Sequence, residues 1–304
     1  MGIMDKPKAT LFRLYLTEEG LWVRFWRLLR LASDELYNDN CLSIAKGAAY
    51  SSLLSFFPLI TTLAAFLVQA RADEVARTIS TFLYEVVPPG TEDVVRFLFV
   101  VKGQRPTYLL IVAVVFAVWA ASGTMISLME GFDGIYHVPS SRNFIRERGM
   151  AILLVFVSFA PVLAATGLIV SGTRAERFLT SWLGLTQQNQ DMGGWVILAG
   201  QVLRYGIAYG SFVLVTALIY YLGPNRKQTF SMVFPGAILA TFLWLIATLA
   251  FGWYVRYVAD YNVLYGSVGA GLALLVWMYV LAVITLLGCA FNAVRERMSR
   301  SSIE

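Results

Sequence analysis

The sequence predicts an all-α, polytopic membrane protein with six transmembrane helices and both termini in the cytoplasm. Three observations carry that reading. Hydrophobic residues make up 58% of the 304 and charged residues only 14%, whereas a soluble domain carries about 45–50% and about 25%. Too little polar surface remains to coat a water-soluble body, which excludes a soluble enzyme, a disordered chain and a fibrous repeat. The apolar residues gather in six runs of about 20, the length a helix needs to cross roughly 30 Å of hydrocarbon. The runs are apolar on every face rather than alternating, which argues against a porin-like barrel.

Residues 1–47 read as a cytoplasmic N-terminal segment. Within it Leu21, Phe25, Leu28, Leu29 and Ala32 share one helical face, and Arg24, Arg27 and Arg30 recur along another. This is a basic amphipathic helix of the kind that lies in the membrane interface, as a gate, a docking element or a passive anchor on anionic lipid. A single transmembrane domain follows over 48–293. Its spans run about Ala48–Ala70, Tyr108–Met129, Met150–Ser171, Leu198–Tyr221, Phe230–Tyr254 and Val268–Phe291. Residues 294–304 form a basic cytoplasmic tail. The loop Arg71–Thr107 is too long for a bare connector. The helical spacing of Val75, Ile79, Phe82 and Leu83, the break at Pro88–Gly90 and the acidic cap after Thr91 predict a short helical hairpin on the outer surface. The outer loop Gly172–Gly194 is polar and glycine-containing. AYSS at 49–52 and AYGS at 208–211 hint at a three-plus-three inverted repeat.

Charge sets the orientation. Fifteen of the 24 Lys and Arg residues fall before span one, after spans two, four and six; eight fall on the other side, and Arg204 alone lies in a span. The positive-inside rule then puts both termini in the cytoplasm. No cleavable signal peptide is legible, so span one is expected to act as an uncleaved anchor. Cys41 and Cys289 both fall near the cytoplasmic side, where a structural disulfide is not expected. The basic residues read as topology determinants and contacts with anionic lipid headgroups, not as a nucleic-acid surface.

Catalytic chemistry finds little to work with. A single histidine, His137, removes His-rich metal sites, and HExxH, CxxC and GxxxxGK[ST] are absent. Neither an enzyme nor a cofactor is expected. Glu130 and Asp133 share a helical face at the end of span two, as a cation or proton site or as a solvated helix end. Arg204 either lies deep in span four, needing an anion or a wet cavity, or snorkels to the outer headgroups. Pro58, Pro161 and Pro235 each remove a backbone donor inside a span. Small residues at i and i+4, among them Gly266 and Ala270, favour close helix approach. Tyr257, Tyr261 and Tyr265 line one face near the outer interface, as an aromatic belt or as a surface a substrate stacks on.

Several stretches resemble a known family. AKGAAYSSLLSFFPL (Ala45–Leu59) and WAASGTMISLMEGFDGIYHV (Trp119–Val138) resemble signatures of the YihY/virulence factor BrkB family, formerly labelled ribonuclease BN. Asp133 stands where that pattern leads one to expect Asn. The C-terminal half is the strongest match, with Pro224–Asn225 before a basic turn, Pro235–Gly236–Ala237 opening span five, Tyr265–Gly266–Ser267 before span six and Trp277 with Tyr279 inside it. The resemblance covers about residues 20–300 and implies a six-span bacterial inner-membrane protein, with exporters of solutes or envelope lipids as the activities discussed for the family. It brings no catalytic residues. The leading expectation is therefore a transporter, exporter or lipid translocase without its own ATP motif. Tyr50, Ser55, Arg204, Asn225, Tyr261 and Tyr265 are the pathway candidates, and Pro58, Pro161, Pro235, Gly236 and Gly266 shape and pack the helices. The alternative is a non-transporting organiser of the envelope. Expected partners are the bilayer, anionic lipid, an unidentified solute or lipid, and a second copy of the chain.

Overall fold

The computed structural model describes residues 21–69, 107–139, 142–159, 190–257 and 266–301. They form seven helices: α1 (Leu21–Asn38), α2 (Cys41–Gln69), α3 (Thr107–Ile135), α4 (residues 144–159), α5 (Gln190–Leu222), α6 (Phe230–Tyr257) and α7 (Gly266–Ser301). Among the described residues, four stretches are long and apolar enough to cross a membrane: Ile111–Ile135, Tyr205–Leu222, Phe230–Tyr257 and Gly271–Arg300. The outer hairpin, Pro161, Tyr261 and Tyr265 lie outside the described residues.

Local chemistry fixes the ends. α1 and α2 are joined through Asp39 and Asn40 alone, and Asn40 takes φ 54°, the left-handed conformation that asparagine tolerates. α3 ends in a Schellman motif: the N–H of Val138 donates to Asp133 C=O and that of His137 to Gly134 C=O. His137 occupies the left-handed position of that motif, with φ 54° and its ring Nδ1 2.7 Å from Gly134 O. The single histidine is thus a helix-capping residue. α6 starts after Thr229, whose carbonyl accepts from Met232 N–H.

The described helices pack most tightly at one end. The ends of α3, α5 and α7 and the starts of α2 and α6 meet there, with α1 laid against α7. Leu128, Phe132, Ile135, Tyr220, Val233, Leu286 and Ala290 form its core. The α6–α7 crossing depends on glycine: a Cβ on Gly236 would overlap the Gly288 carbonyl oxygen and the Asn292 amide, and one on Gly288 would overlap the Tyr220 hydroxyl. Neither α2 nor α6 ends at its proline. At Pro235 the helix ladder is supplemented from outside. Gly236 N–H donates to Asn292 Oδ1 (2.7 Å), and Asn292 Nδ2 donates to Val233 O (2.8 Å). Tyr220, fully buried, donates to Thr285 O (2.6 Å) and meets Phe132 edge-on.

α1 has three flanks rather than two. Leu28, Ala32 and Leu36 are buried, and Phe25 packs on Phe291 of α7. Trp22 and Trp26 are 70% and 53% exposed on a second flank, and Arg24 and Arg30 are exposed beside them.

Gly236→Ala and Gly288→Ala should each cost about 1–3 kcal/mol or more through overpacking. Asn292→Ala strands a buried donor and acceptor and should cost a similar amount, about 1–3 kcal/mol. Unfolding of the detergent-solubilised protein measures all three. Cys41 and Cys289 are free and buried, and burial, with Asp39 and Glu35 adding to it, pushes the Cys41 thiol up to about 11. Maleimide should label the folded protein slowly and both thiols rapidly after denaturation in SDS.

Candidate functional site

The tightly packed end carries a layer of charge that links most of the described helices. It begins with Asp133, the last acid of α3, which is buried rather than solvated. Its Oδ1 accepts from the backbone N–H of Asn225 (2.7 Å) in the α5–α6 turn. The solvated-end reading of Asp133 is therefore corrected; Glu130, one turn earlier, is exposed. Arg142, ahead of α4, reaches the same turn. It donates to Asn225 Oδ1 (3.3 Å) and to the carbonyls of Gly223 (2.9 Å) and Pro224 (3.2 Å). A cation there satisfies carbonyls left over at the end of α5 and complements its dipole. Gly223 is required by proximity, since a Cβ would overlap the Phe132 ring and the Ile219 carbonyl.

Next to this turn, Arg226 clasps both oxygens of Glu296 on α7 (2.6 and 2.7 Å) and lies 4.2 Å above the Tyr136 ring. Arg300 adds a second cation to Glu296 one turn on (2.6 Å). Arg297 pairs bidentately with Glu35 of α1 (2.6 and 2.5 Å) and donates to Ile135 O (3.1 Å), so one side chain ties α7 to both α1 and α3. Beside Glu35, burial raises the Asp39 carboxyl above its ordinary value, the nearby His137 opposing the rise. The Tyr136 hydroxyl is also pushed up, chiefly by burial. Among the described residues no group of three or more His, Cys, Asp or Glu could hold a metal ion.

Of the pathway candidates, only Asn225 belongs to this layer. Tyr50 is 61% exposed on α2. Ser55 is buried but donates to Ser52 O of its own helix (2.9 Å). It lies about 21 Å along α2 from Cys41 at 1.5 Å per residue, so it and Asn225 line no common surface. Arg204 sits in helix α5, about 27 Å along the axis from Leu222, and its side chain lies outside the described residues. Gly266 is the first residue of α7. Sequence reasoning counted Arg142, Arg226 and Arg297 as topology determinants and passed over Glu35 and Glu296. The available signal was those acids standing among bases on the side where bases predominate.

The ion pairs differ in worth. Glu296 and Arg226 side chains are 7% and 21% exposed, whereas that of Arg300 is 72% exposed. Glu296→Gln should destabilise the protein by about 3–5 kcal/mol, as expected for breaking a buried pair. Arg300→Ala should cost below about 1 kcal/mol. Comparing the unfolding midpoints of the two variants in detergent separates the two values.

The chain was compared with known proteins on this basis. The family model described as Virulence factor BrkB matches residues 32–304. The protein YfkH of Bacillus subtilis (strain 168), whose name calls it ribonuclease-like, is 28% identical over 255 residues, covering 83% of this chain and 89% of YfkH. A UPF0761 membrane protein of Legionella pneumophila (strain Corby) is 26% identical over 286 residues, 91% of this chain but only 65% of that protein. The UPF0761 membrane protein PSHAa0171 of Pseudoalteromonas translucida (strain TAC 125) is 24% identical, covering 84% of this chain and 81% of its own length. No solved structure matches the chain. The match across residues 32–304, together with four described helices able to cross a bilayer, makes this chain a multi-pass membrane protein of the virulence factor BrkB family.

Proposed function

We propose that the protein is a transporter or lipid translocase of the bacterial inner membrane, with six spans and with its charged, tightly packed end in the cytoplasm. One observation carries the reading: along α5 and most of α6 burial falls off away from the charged layer, whereas α2 and α3 stay packed as far as Ile60 and Ala117. In α6 the buried residues Val233, Gly236, Ala237, Ala240 and Thr241 sit near the charged layer, while Leu245, Ile246, Leu249 and Trp253 beyond them are exposed and only Val255 is buried again. α5 repeats the pattern, with Val213 to Tyr220 largely buried and Val202, Tyr205 and Ile207 exposed. A Cβ on Gly206, Gly210, Gly252 or Gly271 would meet none of the described residues within 4 Å, as is also true of Gly134 at the charged end. A bundle tied by ion pairs at one end, with α5 and α6 less covered toward the other, suits a path entered from the bilayer or the outer side. The charged layer would then act as its gate.

The cytoplasmic assignment draws on the excess of bases on that side. In that orientation the tryptophan flank of α1 enters the lipid interface, and Arg24 and Arg30 face anionic headgroups. We read the chain as a non-enzyme: the polar residues of the site are engaged in pairs and caps, and the ribonuclease-like name of YfkH belongs to that protein. The alternative, an envelope organiser, draws on the same exposed apolar faces as docking surfaces for partner helices or a second copy.

Reconstitution into liposomes tests the proposal, with dithionite bleaching of fluorescent phospholipids and efflux of trapped solutes as readouts. Wild type should exchange lipid or solute faster than empty vesicles, Glu296→Gln should change that rate several-fold by loosening the gate, and Arg204→Ala should lower it. Rates equal to those of empty vesicles for folded wild type and Glu296→Gln, across anionic and zwitterionic lipids, would sink the reading.

A further inference from the structure

Arg204 is not the only base at the level of the spans. Arg148, near the start of α4, holds its guanidinium 4.0 Å from the centre of the Trp119 ring on α3. Trp119 stands about 18 Å along the axis from Thr107 and about 24 Å from Ile135, in a helix about 42 Å long. A hydrocarbon layer of about 30 Å laid anywhere within that length contains the Trp119 backbone, about 6 Å or more from its edge. The ring that carries the arginine is therefore anchored in the apolar layer. It is also 52% exposed, so it borders the lipid side of the helix pair.

Among the described residues no carboxylate pairs with Arg148, although Arg226, Arg297 and Arg300 all find one. Its Nε is buried and has no hydrogen-bond partner. Stacking on tryptophan uses the face of the guanidinium and leaves its two terminal nitrogens for a partner, Nε being enclosed. Those donors form the fork that matches a phosphate or carboxylate oxygen pair. A cation without a carboxylate partner, stacked on a ring whose helix crosses the apolar layer, is costly and marks a functional position by default.

We propose that Arg148 and Trp119 form a binding site for a phosphate-bearing anion within the membrane, occupied by the headgroup of an anionic phospholipid. The Trp119 ring fixes the plane of the guanidinium, and its two terminal nitrogens, which unlike Nε are not enclosed, take the phosphate oxygens. Access from the lipid side favours a headgroup, since free phosphate would have to leave water for the apolar layer. As a substrate site this rests on the translocation reading; as a binding site it does not.

The test is lipid binding to the full chain in detergent, read by native mass spectrometry. Phosphatidylglycerol is titrated against phosphatidylcholine, with millimolar inorganic phosphate as competitor. Wild type should retain phosphatidylglycerol preferentially, and Arg148→Gln should weaken that retention about tenfold, the worth of a charge-assisted contact. Arg148→Lys should fall between the two, and phosphate should displace nothing. Trp119→Leu, which keeps the charge and removes its platform, should weaken retention about threefold. Unchanged retention in a folded Arg148→Gln or Trp119→Leu protein overturns the site, and displacement by inorganic phosphate overturns its assignment to lipid. Because no flux is involved, intact binding with no exchange in liposomes would remove the transport reading and leave the site standing.

Discussion

The approach of α6 to α7 is the constraint on which the rest of the described structure depends. Between lipid-embedded helices the hydrophobic effect supplies little attraction, so association relies on close packing and on polar groups that find each other. Gly236 and Gly288 provide the closeness, each lacking the side chain that would hold the other backbone away. Asn292 then reaches the stretch around Pro235 and satisfies one donor and one acceptor there. Proline, glycine and asparagine thus act as one unit: the first disturbs a ladder, the second opens a path to it and the third fills the gap. α5 is keyed to the same crossing by the Tyr220 hydroxyl, and α3 by the Phe132 ring against Tyr220.

The charged layer works differently. Its groups cap helix ends, join turns and pair across elements, and its stronger contacts are those with the least water around them. Glu296 holds Arg226 in a half-buried setting, whereas its bond to Arg300 is largely solvated and contributes little. The layer is therefore a specific lock at one end of the helices rather than a general stabiliser.

The helices themselves were legible in the sequence because apolar runs of span length have few alternative explanations. The starts and stops were less so. α3 runs to Ile135, beyond the end of its apolar run near Met129, because the last turns are buried among α2, α5 and α7. Asp133 looked like a solvated acid for the same reason: periodicity gives the face of a helix, not the identity of what covers it. Pro235–Gly236 was recognised as a motif, but its partner Asn292 lies 56 residues on and carries no local signal. Arg148 was counted with the loop bases, since its position at a helix start conceals how far its side chain reaches. Pairings across long separations are where sequence reading ended and coordinates were needed.

The bond between Glu35 and Arg297 joins residues 262 positions apart. During synthesis α1 emerges early, and its partner on α7 is among the last residues made. At about 5–20 residues per second the interval is on the order of tens of seconds. Throughout that time the apolar flank of α1, formed by Leu28, Ala32 and Leu36, lacks α7 and has α2 as its nearest neighbour in the chain. The Glu35–Arg297 tie, which joins α1 to the charged layer, therefore closes only after α7 is made.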